Sequence, residues 1–188
     1  MVAFIIIAVA IAVIALAILA RYPSYRGKRV VVCPETHQAV GAEINAWLAA
    51  RTELAGGPRY VISACSRWPG RAGCDQACAP QVAAMPRETL VRNIVAHWYQ
   101  DRACTFCGEK ISDIHGIVVP GLRGVDGTVH DWTDIAPEDL PKVLRESAPV
   151  CARCDLVENF RHDRAQLVIE RPTAPREHHA PLSSSAVY

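Results

Sequence analysis

Eight cysteines are the residues of this 188-residue chain best suited to chemistry, and their spacing divides them into two sets. Cys104 and Cys107 form one CxxC pair, and Cys151 and Cys154 form another. Two thiolates in such a pair can grip one ion from a tight turn, with Gly108 relieving the backbone where it folds back and lets amides face sulfur. Two pairs supply four soft anionic ligands, the closed tetrahedral set that zinc takes in structural sites. The competing chemistry is a redox dithiol or a disulfide. A thioredoxin-like dithiol needs a βαβ context, whereas Cys104 follows a helical pattern and precedes a glycine turn.

The other set, Cys33, Cys65, Cys74 and Cys78, has no standard finger spacing. A strand-end cysteine and a clustered trio can converge on one ion if the strands near Val30 and Tyr60 are neighbours. A second zinc is the expectation here. His37 is a possible substitute for one thiolate, and Glu35 and Asp75 are candidates for an outer shell. An iron–sulfur cluster, which also takes four thiolates from loops, is the alternative.

The run Cys104-Thr105-Phe106-Cys107-Gly108-Glu109-Lys110-Ile111 looks like a zinc knuckle, and Cys151-Ala152-Arg153-Cys154 falls at a helix start. Knuckle, hairpin and a ligand pair in a first helical turn resemble a treble-clef or zinc-ribbon finger, over about residues 103–165. An inserted helix near Asp139 departs from that pattern. The resemblance implies a metal-stabilised fold with a docking surface, and it implies no reaction.

These sites need elements to position them, and the first element is a membrane anchor. Val2 to Ala20 carry no charge, and as a helix they reach roughly 28 Å, enough to cross a hydrocarbon core. Arg21, Arg26, Lys28 and Arg29 follow, with no acid before Glu35. This basic flank predicts an N-terminus outside and a cytoplasmic body. A cleaved signal peptide is the competing reading, through Ala15-Leu16-Ala17, but the chain lacks a basic segment ahead of the run. Cytoplasmic thiols stay reduced, which favours metal over disulfides.

The expected fold class is α+β: an anchor over 1–20, a basic linker over 21–29, a first cysteine-rich subdomain over 30–102, a finger-like one over 103–171, and a disordered tail over 172–188. Val30 to Val32 and Tyr60 to Ala64 read as strands, and Ala42 to Leu54 as a helix stopped by Gly56-Gly57-Pro58. Pro86 to Asp101 is the clearest helix, with Leu90, Val91, Ile94, Val95 and Trp98 in one stripe and His97 beside it. Within Ile114 to Trp132, Asp126-Gly127 marks a hairpin turn. A short helix spans about Asp139 to Arg145, and Leu156, Val157 and Phe160 favour another.

A formal net charge of +1 argues against a polyanionic partner such as nucleic acid. No HExxH, P-loop, GxGxxG or GxSxG occurs, and no small-molecule substrate suggests itself. His115, His130 and Asp131 near Trp132 form the one cluster worth examining for catalysis, and His178-His179 lie in the polar tail. The expected function is a non-enzymatic, single-pass zinc protein that docks a protein partner at the membrane. An electron-transfer protein and a metal-trafficking or redox-sensing module are the alternatives.

Overall fold

The computed structural model describes residues 1–71, 73–111, 114 and 119–164. His115, His178, His179 and the expected tail lie outside the described residues.

Helix α1 spans Val2–Tyr25, is long and apolar enough to cross a membrane, and leaves the apolar residues of its first four turns exposed. It continues five residues beyond the apolar run, through Pro23, so helix replaces most of the expected linker. Two guanidinium groups hold its end. The buried Arg29 donates to the Tyr25 carbonyl (3.3 Å), to the Pro86 carbonyl and to Thr89 Oγ1 (2.9 Å). Arg92 donates to the carbonyls of Pro23 (3.0 Å) and Arg26 (3.1 Å). The last carbonyls of a helix have no partner within it, and cations suit its negative end.

Strands β1 (Arg29–Val32), β2 (Ala39–Ile44) and β3 (Ile62–Cys65) form an antiparallel sheet in that order. Helix α2 (Ala46–Glu53) follows β2, with the Asn45 side chain accepting from the Leu48 amide (2.9 Å). The segment expected as one helix from Ala42 is thus a strand end, a cap and a helix. Ile44 belongs to the sheet face rather than to a helical stripe. Helix α3 (Ala79–Ala84) closes the first core, in which Val31, Val40, Ile44, Ala49, Ala50, Ile62 and Val82 are buried. Tyr22 stacks on Trp47 at 4.5 Å and Arg21 pairs with Glu53, which sets α2 against the last turns of α1.

Helix α4 (Val91–Tyr99) begins later than its apolar stripe suggests, because Leu90 is its cap. It packs Val91, Val95 and Tyr99 into a second core. There β4 (Gly121–Arg123) lies between β5 (Val129–Asp131) and β6 (Ala148–Val150), both antiparallel to it. Helix α5 (Leu140–Glu146) buries Leu140 and Leu144, and α6 (Ala152–Asp163) follows β6 directly. The expected α+β composition and the Asp126-Gly127 turn between β4 and β5 are both present.

Candidate metal centre

Cys104 and Cys107 lie in a loop whose backbone closes on itself. The Cys104 amide donates to the Glu109 carbonyl and the Gly108 amide to the Cys104 carbonyl, both at 2.9 Å, and Ala103 bridges Lys110. Gly108 has φ +74°, the left-handed region that a Cβ disfavours. The loop tip is tied to β6, because Thr105 donates to the Pro149 carbonyl from its amide (2.9 Å) and its hydroxyl (3.0 Å). Cys151 caps α6 and Cys154 sits in its first turn, where unpaired amides favour negative charge. β6 therefore delivers the second pair to the first.

The four sulfurs all lie within 4.8 Å of one another, and Cys107 Sγ is 3.7 Å from Cys151 Sγ. That separation is far beyond a disulfide bond, and all eight cysteines are free thiols. It is close to the roughly 3.8 Å between two sulfurs that each lie about 2.3 Å from one tetrahedral zinc. The donor set thus fits a soft cation held by four thiolates.

Local electrostatics split the thiols. Burial opposes ionisation of Cys104, but amides of Cys151, Cys107 and Phe106 directed at its sulfur outweigh it and hold the thiol down to about 6. Burial, followed by the neighbouring thiols, pushes Cys154 well above the ordinary range, and burial also raises Cys151. One thiolate is ready for a cation, and others must shed protons to join it.

Comparison with protein-family models, with curated proteins and with solved structures finds no match. The site is therefore interpreted from its own geometry.

Cys33, Cys65, Cys74 and Cys78 come together differently. All four line one open cavity of about 610 Å³ with Trp68, Arg67 and Arg71. Two glutamine side chains assemble it by pairing with strand backbone. Gln81 bonds the Val32 amide (3.0 Å) and carbonyl (2.6 Å), and Gln76 bonds the Ile62 amide (2.9 Å) and carbonyl (3.3 Å). Among the described residues, however, only the Cys104 set meets the spacing of a single-ion site. The expected second zinc set shares a cavity without being gathered around one point. His37 is exposed and absent from the cavity lining, and it has φ +56°. It supports a turn, which accounts for its place better than ligation does. Glu35 pairs with Arg67 (3.1 Å) and Arg71, and the Asp75 carboxylate accepts from the Ala77 amide (3.1 Å).

The small polar cluster has structural partners. Asp131 accepts from the Thr133 amide and hydroxyl, both at 2.8 Å, and His130 Nε2 lies 2.7 Å from Thr128 Oγ1.

Proposed function

We propose that this chain is a membrane-anchored zinc protein whose body is folded around one ion held by Cys104, Cys107, Cys151 and Cys154. The observation that carries the reading is the gathering of four sulfurs, from a glycine-closed knuckle and a helix start, at the spacing one tetrahedral ion demands. The order of knuckle, β4–β5 hairpin and ligand-bearing α6 supports a treble-clef type of finger, with α5 and β6 inserted. All four positions are filled by protein sulfur. This leaves no open coordination place for substrate or water, and the proposed ion is structural rather than catalytic.

Helix α1 is long and apolar enough to cross a bilayer, and the basic residues after it favour a cytoplasmic body. The role is then that of an accessory or docking subunit. Helix α6 supports this role by leaving Leu156, Val157 and Phe160 exposed in the turns after the zinc ligands. Full-length protein purified in detergent should carry zinc, and Cys104→Ser should lose one equivalent of it. Unchanged zinc in that variant would overturn the assignment. Protease protection in sealed vesicles tests the orientation, with cleavage of the body expected only from the cytoplasmic face.

A further inference from the structure

We propose that Cys33, Cys65, Cys74 and Cys78 hold an iron–sulfur cluster, a second centre different in kind from the Cys104 site. The argument begins with a backbone likeness inside the molecule. In the β1–β2 loop the Cys33 amide donates to the Gln38 carbonyl and the His37 amide to the Cys33 carbonyl, both at 2.8 Å, and Val32 pairs with Ala39. In the Cys104 loop, Cys104 bonds Glu109, Gly108 bonds Cys104, and Ala103 bridges Lys110 at the same offsets. His37 occupies the left-handed position of Gly108, and Thr36 stands where Cys107 does. The first loop is thus a knuckle that presents one thiol instead of two.

A knuckle with a single cysteine must draw its other ligands from elsewhere, and the fold supplies them from three points. Cys65 ends β3, Cys78 caps α3, and Cys74 lies in the loop between them. These points surround a cavity rather than a point. The paired knuckle gathers its sulfurs to single-ion spacing, whereas the four thiols of this set line one cavity without meeting that spacing. A group that interposes iron and inorganic sulfide between its cysteines suits such an arrangement better than one zinc ion.

A neighbouring donor agrees with this. Arg67, held by Glu35, directs an N–H at Cys33 Sγ from 3.1 Å and so offers that sulfur a charged donor. Hydrogen bonds to sulfur are among the factors that set cluster potentials.

The experiment is metal, acid-labile sulfide and visible-absorption analysis of the full chain, purified anaerobically in detergent. The expected result is one zinc per chain, with iron and sulfide in comparable amounts and an absorption band that bleaches on reduction. Cys74→Ser should abolish iron, sulfide and colour while leaving zinc unchanged. Cys74 is exposed, so its loss leaves the core intact. Cys104→Ser tests the zinc site separately, because loss of zinc with iron retained assigns the two centres independently. Two zinc ions per chain would overturn the proposal. So would the absence of colour after anaerobic reconstitution with iron and sulfide.

Discussion

At the scale of single residues, the four-cysteine site rests on closely packed neighbours that leave little room for a larger side chain. Gly121 in β4 is one. A Cβ there would collide with the Asp155 carboxylate and come within 2.6 Å of Val129 Cγ1, and Asp155 lies one residue beyond Cys154. Gly121→Ala must push aside the Asp155 and Val129 side chains, and it should cost about 1–3 kcal/mol and weaken zinc retention. Thermal unfolding and competition with a zinc chelator measure the two effects. The thiols make binding dependent on pH in a definite direction. Cys151 and Cys154 have pKa values raised above the usual thiol range, so the metal-free site holds their protons at neutral pH. Zinc must displace them. Release of at least two protons per ion would weaken affinity by at least about a hundredfold for each unit of acidification. Chelator titrations at two pH values check this, and pH-independent affinity would contradict it. The ligands of this site were legible in the sequence because CxxC spacing and Gly108 are local signals. The knuckle at Cys33 was not, because Thr36 replaces the second cysteine and His37 replaces the glycine. Only the backbone hydrogen bonds disclose it.

At the scale of elements, the junction between α1 and the body is a packed connection rather than a tether. The basic residues after the apolar run read as a charged linker, a reading that leaves out the contacts Arg29 makes. Arg29 is fully buried and spends its guanidinium on carbonyls of Tyr25 and Pro86 and on Thr89, tying the end of α1 to the segment before α4. Arg29→Met keeps the aliphatic length but leaves those carbonyls unsatisfied, at a cost of about 2–3 kcal/mol. The loss should appear as a lower unfolding temperature in detergent. Arg29→Lys should recover only part of it, since one ammonium cannot reach three acceptors in the geometry of a planar fork. The chain pattern disclosed β1, α4 and the Asp126-Gly127 hairpin, where periodicity or turn chemistry is strong. It failed at Ala42 to Ile44, where the spacing of Ile44, Trp47 and Leu48 imitates a helix although a strand ends there. Pairing with β1 and β3 decides that segment, and a partner strand leaves no mark on the local sequence.

At the scale of the whole molecule, two cores share the body, and their sources of stability differ. The first is built from a three-stranded sheet, α2 and α3, with α1 laid against α2. The second has strands of only three residues, and three of the four clustered cysteines, Cys104, Cys151 and Cys154, belong to its packing. Strands that short make few backbone pairs, so the sheet depends on what packs against it. A structural zinc contributes about 10–16 kcal/mol of apparent binding free energy, as much as the entire stability of an ordinary domain. Removal of the ion should therefore dismantle the second core selectively. Hydrogen exchange on the full chain in detergent resolves this by element. After zinc is stripped, amides of β4, β6 and α6 should lose protection, while those of the β1–β2 hairpin and α1 keep theirs. Readdition of zinc should restore the pattern. Equal loss of protection in both cores would mean that the ion stabilises the body as one unit, and unchanged protection throughout would mean that the second core stands without it.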